Sequence, residues 1–206
     1  AFICGDRHIS YREFGEQLSQ LTQVLTQRGL RHGDTIAALS VNRPEAFFVS
    51  AAGYLLGLRV LWMNPIASAD DHLYQVNDAD VKLLAVDPAS FGDRAETLRE
   101  KADRPLQIMG LGPLGAHVDL LAAMSQQTPQ KLRSLGRSDD ECVLVYTGGT
   151  TGKPKGVLHT HRVQVAMILM QMADFDWPQE SRFLAMTPIT HASGALMMPV
   201  LPRSGT

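Results

Sequence analysis

The sequence predicts an α/β fold in which a mostly parallel sheet is layered between helices. Short aliphatic runs of strand length, such as 34–39, 59–63 and 81–86, alternate with longer stretches of helical period. Proline and glycine stand where the helices between those runs must begin and end, at Pro44, Gly29 and Gly57. With 45% hydrophobic and 19% charged residues over 206 positions, the chain has enough apolar material to bury one core. Strands joined by helix-length connections are the pattern of a parallel sheet covered on both faces.

In chain order, 2–4 and 8–11 flank the polar Gly5-Asp6-Arg7 and read as a hairpin. Ser10 followed by Glu13 has the spacing of a capping box, and Phe14, Leu18, Leu21 and Leu25 recur at three and four until Gly29. A buried strand over 34–39 leads to Asn42-Arg43-Pro44, which opens a helix ending near Gly57. The apolar stretch 46–58 is broken by Ser50 and closed by Arg59, too short for a bilayer span of roughly 20 residues. It reads as a core helix. A strand over 59–63 runs into Asn64-Pro65, and Ser68 caps a helix reaching about Asn77. The strand at 81–86 is closed by Asp87-Pro88, followed by a helix over 94–101, a strand over 106–109 and further structure over 117–124. The polar segment 126–140 has no sustained apolar period and marks the place where the chain would subdivide.

A net charge of −2 without any cationic run speaks against a nucleic-acid partner. Cys4 and Cys142 have neither the pairing of small secreted scaffolds nor the spacing of a zinc site, so a reducing, cytoplasmic setting and two buried thiols are expected. No leader is visible at Ala1-Phe2-Ile3-Cys4, and the closing residues 201–206 resemble a turn before another strand, so a fragment of a longer chain is expected. The acidic residues 139–141 read as a solvated connector, His159 and His161 as a structural or solvent-facing pair sharing one strand face.

The stretch from Tyr146 to Gly156 holds four glycines, three threonines and two lysines, a composition that cannot pack a core but can wrap an anion. Glycine lets backbone N–H groups converge on one set of oxygens, threonine hydroxyls add donors, and lysine supplies charge. A Walker loop needs glycine five residues before Gly152 and Ser or Thr after the lysine, with a helix following. Here those positions are Thr147 and Pro154, and Val157-Leu158-His159 resumes strand character. The expected arrangement is strand, loop, strand, with a helix only after Thr160 or His161.

Thr147-Gly148-Gly149-Thr150-Thr151-Gly152-Lys153-Pro154-Lys155-Gly156 resembles the signature loop of the acyl-adenylate-forming (AMP-binding) superfamily, usually Y-T-S-G-T-T-G-x-P-K-G. Gly148 departs from the commoner serine, which removes one hydroxyl donor and keeps the backbone. The similarity extends to Gly33-Asp34, Asn42-Arg43-Pro44-Glu45 and Met63-Asn64-Pro65. Thr187-Pro188-Ile189-Thr190-His191 resembles the family's L-P-x-[F/Y]-H motif, with Thr190 where an aromatic is commoner.

This resemblance implies an α/β/α-layered, partial N-terminal domain of an adenylate-forming enzyme over 1–206, with the C-terminal domain absent. It implies activation of a carboxylic acid by ATP with Mg2+, then transfer to coenzyme A, in an acyl-CoA synthetase acting on fatty or aromatic acids. An adenylation domain loading a carrier protein and a non-catalytic nucleotide-binding module remain open beside it, as does a homodimer. Thr147, Gly148, Gly149, Thr150, Thr151 and Gly152 would hold phosphates, and Lys155 would offset the leaving charge. Lys153 falls at a position variable in the family. His191, Ser193, Gly194 and Met197 would line the substrate pocket, with His191 also catalytic. Methionines suit a flexible acyl chain, chiefly Met197 and Met198, with Met186 nearby and Met167, Met170 and Met172 on a helix. The family's later motifs, including its terminal catalytic lysine, are not found before Thr206, so these residues alone are expected not to form a thioester.

Overall fold

Seven strands form one sheet in the order β7-β6-β5-β3-β4-β8-β9. The structure, a computed structural model, describes residues 1–148, 153–190 and 192–206. The strands are β3 (Thr35–Leu39), β4 (Arg59–Trp62), β5 (Val81–Val86), β6 (Gln107–Gly110), β7 (Val118–Asp119), β8 (Glu141–Thr147) and β9 (Lys155–Thr160). All neighbours run parallel except β8 and β9. A separate antiparallel hairpin joins β1 (Phe2–Cys4) to β2 (Arg7–Ile9). The expected α/β class and mostly parallel sheet are what the chain adopts.

Alternation along each strand builds two cores, because successive side chains point to opposite faces. Ile36, Ala38, Val60, Trp62 and Val143 face α1 (Tyr11–Gln27), α2 (Pro44–Leu56) and α5 (Leu120–Ser125). Ala37, Leu39, Leu61, Met63, Leu84 and Leu144 face α3 (Ala69–Asp78) and α4 (Pro88–Lys101). β3 is buried along its whole length, as a strand covered on both faces must be.

Both expected serine caps form. Ser10 Oγ accepts from Glu13 N at 3.1 Å while Glu13 returns a bond to Ser10 N, and Ser68 does the same with Asp71. α2 starts on Pro44 and stops at Gly57, whose φ of +70° is the left-handed conformation glycine supplies. Gly53 permits close contact with the sheet, since a Cβ there would lie 2.8 Å from Val60 and 2.9 Å from Ile36.

Some elements differ from the sequence reading. α4 begins at Pro88 rather than 94; the weak helix formers of 88–93 are carried by an N-terminal proline and by the Phe91 N–H bonding Asp87 C=O at 3.0 Å. His159 and His161 do not share a strand face. Thr160 caps α6 (His161–Asp174), so His159 closes β9 against Gln164 at 2.8 Å while the His161 ring packs edge-on to Tyr54. Nor are the acidic residues 139–141 merely solvated: Asp140 pairs with His32 at 2.7 Å, Glu141 with Arg59 and Asp139 with Arg162. Cys142 is buried, which lifts its thiol to about 11, whereas Cys4 is only partly covered.

The polar stretch 126–140 is irregular and runs across α1 and α2. Gln130 N–H bonds Ser19 Oγ at 2.7 Å and Leu135 N–H bonds Leu55 C=O at 2.7 Å. β8, which follows, enters the same sheet beside β4. Among the described residues no helix is long and apolar enough to cross a membrane.

Candidate functional site

Parallel strands deliver their C-terminal ends to one edge of a sheet, and ligands of open α/β folds bind outside that edge where the connections diverge. Here β3 connects toward β4 while β5 connects toward β6, so the divergence falls between β3 and β5. Arg43, just past β3, reaches Asp87, just past β5, at 3.3 Å and bonds Glu45 at 2.9 Å. Glu45 is buried and also takes Arg7 at 2.6 Å. Burial alone would raise its carboxyl, but the two guanidinium bonds outweigh that and hold it below the ordinary range.

At the same edge β8 and β9 form the hairpin that carries the glycine-rich loop. Thr147 stands opposite Lys155 in the register, its hydroxyl bonding Lys155 C=O at 3.4 Å. Thr147, Gly148, Lys153 and Lys155 are all exposed. Lys153 lies 5.5 Å from the Tyr74 ring centre, Tyr74 meets Tyr146 edge-on, and the Tyr146 hydroxyl donates to Asp78. Burial first, and then the Asp78 carboxylate, push the Tyr146 phenol upward. Gly156 allows the second strand to close on the first, for a Cβ there would sit 2.9 Å from Leu144. Around Gly148, by contrast, a Cβ would meet nothing within 4 Å among the described residues. Gly149, Thr150, Thr151 and Gly152 lie outside the described residues, as does His191.

The segment leading to His191 is fixed by two side chains that composition and periodicity did not single out. Asn42 donates from Nδ2 to Ala185 C=O at 2.9 Å and Thr187 C=O at 2.8 Å, and accepts the Ile189 N–H at 2.9 Å. Thr190, 4% exposed, donates to Met63 C=O at 2.7 Å, which ties the segment to the end of β4. Behind that end, fully buried His72 bonds Asn64 C=O at 2.9 Å through Nε2 and meets Arg94 at 2.9 Å through Nδ1. Arginine can only donate, so Nδ1 accepts and the ring is neutral; burial, foremost, lowers its pKa.

A 3-10 helix, Ala192–Val200, follows. A Cβ on Gly194 would fall 1.9 Å from Ile189 C=O, so only glycine lets this turn fold back on the segment. Met197 lines a cavity of about 420 Å³ with Phe2, Phe47, Phe183, Leu184 and Leu201, whereas Gly194 and Met198 border a much smaller void beside Thr190. Met186 and Met170 are exposed. Among the described residues no three His, Cys, Asp or Glu groups converge as metal ligands.

The chain matches over residues 1–206 the family profile described as AMP-binding enzyme. It is similar to the medium/long-chain-fatty-acid–CoA ligase FadD8 of Mycobacterium tuberculosis, 36% identical over 98% of this chain and 36% of that protein. A 2-succinylbenzoate–CoA ligase of Bacillus licheniformis is 26% identical over 94% of the chain and 38% of its own length. ATP-bound MatB from Rhodopseudomonas palustris superimposes with a TM-score of 0.81 at 24% identity, over 96% of this chain and 39% of that one. The chain thus spans little more than a third of the length of these relatives.

Proposed function

Because the chain belongs to the AMP-binding enzyme family, we propose that the full-length protein activates a carboxylic acid with ATP and passes the acyl group to coenzyme A. The observation that carries this reading is the β8–β9 hairpin, which sets Thr147 opposite Lys155 at the C-terminal edge of the sheet. In the first step a carboxylate oxygen bonds the α-phosphorus while the bond to pyrophosphate breaks. In the second, a thiolate takes the acyl carbon and AMP leaves. Such transfers ask the protein for positioning and charge compensation more than for covalent chemistry.

Thr147, Gly148, Gly149, Thr150, Thr151 and Gly152 are assigned to the nucleotide phosphates, and Lys155 to the charge on departing pyrophosphate. His191, Ser193, Gly194 and Met197 are assigned to the acid, with His191 beside the reacting carboxylate. The wall formed by Phe47, Phe183, Leu184 and Met197 favours an aliphatic or aromatic acid. Mg2+ would accompany ATP as charge neutralisation, and among the described residues no three His, Cys, Asp or Glu groups converge to hold it. Coenzyme A as acceptor is supported by similarity to two CoA ligases. Residues 1–206 alone are expected not to complete thioester formation.

The test is acid-dependent exchange of radiolabelled pyrophosphate into ATP by the full-length protein across a panel of carboxylic acids. Lys155→Ala and Thr150→Ala should each slow exchange by ~10²-fold. No exchange with any acid, or full exchange in both variants, would overturn the assignment.

A further inference from the structure

We propose that Asn42 is a positioning residue for acid activation: its carboxamide acts as a clamp that sets the 185–189 backbone leading into His191. The inference rests on the functional reading above, because it assumes that this segment bounds the reacting acid.

Asn42 engages Ala185, Thr187 and Ile189 of a stretch that bends at Thr187 and turns at Ile189–Thr190, with two carbonyls facing its NH2 group and one N–H facing its oxygen. One carboxamide supplies both the donors and the acceptor that these three backbone groups need. Only one amide orientation satisfies all three bonds, so the side chain reads the register of the segment as well as holding it. Because Asn42 lies three residues past the end of β3, beside the divergence point, the segment is referenced to a strand buried along its whole length. Thr190, bonded to Met63 C=O at 2.7 Å, supplies a second anchor from β4. Among the described residues Asn42 bonds the 185–189 segment and no part of the glycine-rich loop, so its effect should fall on the acid and not on ATP.

Three full-length variants test this: Asn42→Ala, Asn42→Asp and Thr190→Val. Hydrogen–deuterium exchange over residues 183–190 should quicken in Asn42→Ala, while β3, β4 and β5 keep wild-type protection. In pyrophosphate exchange, kcat/KM for the acid should fall on the order of 10-fold with KM for ATP unchanged. Asn42→Asp keeps the acceptor for Ile189 but sets a carboxylate against two carbonyls. Its activity should recover as pH falls toward the carboxyl pKa, where protonation restores a donor, while Asn42→Ala shows no such recovery. Combining Asn42→Ala with Thr190→Val should give a loss differing from the sum of the singles, as expected for two anchors on one segment.

Unchanged deuterium uptake at 183–190, an equal loss in ATP and acid parameters, or pH profiles alike in the Ala and Asp variants would each overturn the proposal. A wild-type protein without exchange activity would refute the ligase reading instead, leaving deuterium uptake to decide whether the clamp exists.

Discussion

Glu45→Gln keeps the shape of a buried side chain while deleting its charge, which isolates the ion pairs at the β3–α2 junction. The Glu45 side chain is 4% exposed and meets Arg7 at 2.6 Å and Arg43 at 2.9 Å. Removing one partner of a fully buried pair costs about 3–5 kcal/mol. The Arg7 side chain is 56% exposed and can return to water, so its share is screened to ~1 kcal/mol or less. Arg43 keeps Asp87 at 3.3 Å and so is not left unpaired. Loss of a carboxylate in the first turn of α2 adds about 0.3–1 kcal/mol through the helix dipole. A total of about 2 kcal/mol is therefore expected in urea unfolding at pH 7, with the m-value unchanged. The sign with pH follows from the depressed carboxyl. Its contribution is complete above the unfolded value of about 4.3 and disappears as pH falls through the lower folded value. The gap between wild type and variant should be flat at neutral pH and close in acid. A loss under ~0.5 kcal/mol, within the range of ordinary surface changes, or a gap that widens on acidification would refute the reasoning.

Gly148→Ser should fold within about 0.5 kcal/mol of wild type, since none of the described residues lies within 4 Å of the new Cβ, and its added hydroxyl should lower KM for ATP. Denaturant titration and initial rates check the two halves. Gly53→Ala should cost about 1–3 kcal/mol, because its methyl would overlap Val60 and Ile36 across the α2–sheet contact; thermal or urea unfolding reads it. His72 is neutral when folded and has a lowered pKa, so the unfolded chain binds its proton first. Stability should therefore fall as pH drops below about 6.5, and a His72→Gln variant should lose that acid-side slope in melting curves taken from pH 8 to 5.

Much of this fold is written locally. Ser10 with Glu13, Ser68 with Asp71, and Pro44 with Gly57 each specify a helix end within a few residues, so the sequence alone shows where the layers start and stop. The strand–loop–strand reading of 146–160 was equally legible, because Pro154 forbids the continuous helix of a Walker loop. What stayed hidden spans the sequence. Asn42 grips residues more than 140 positions away, and the acidic run 139–141 finds His32, Arg59 and Arg162 only after β8 has docked beside β4. The polarity of that run was visible, but the partners that determine its role were not. Asn42 did carry a signal, since it opens the Asn42-Arg43-Pro44-Glu45 turn, yet a helix-start reading explains Pro44 and leaves the asparagine without a task.

Thr190 shows how a local departure and a distant contact belong together. An aromatic ring at this position would be held by packing, but the void beside it, bordered by Phe47, Tyr54, Trp62 and Met198, measures only about 10 Å³. That is about room for one water, far short of a phenyl ring. The threonine instead directs its hydroxyl to the Met63 carbonyl, whose strand end is propped by His72 on Asn64. Hydrogen bonds are directional where ring packing is not, and here they act on both sides, Asn42 on residues 185–189 and Thr190 on the next residue. The segment preceding His191 is thus located by angles as well as by volume. On this account a Thr190→Phe change would do more than overfill a void: it would remove the bond from Thr190 to the Met63 carbonyl at the end of β4 and shift the load of setting the segment's register onto Asn42.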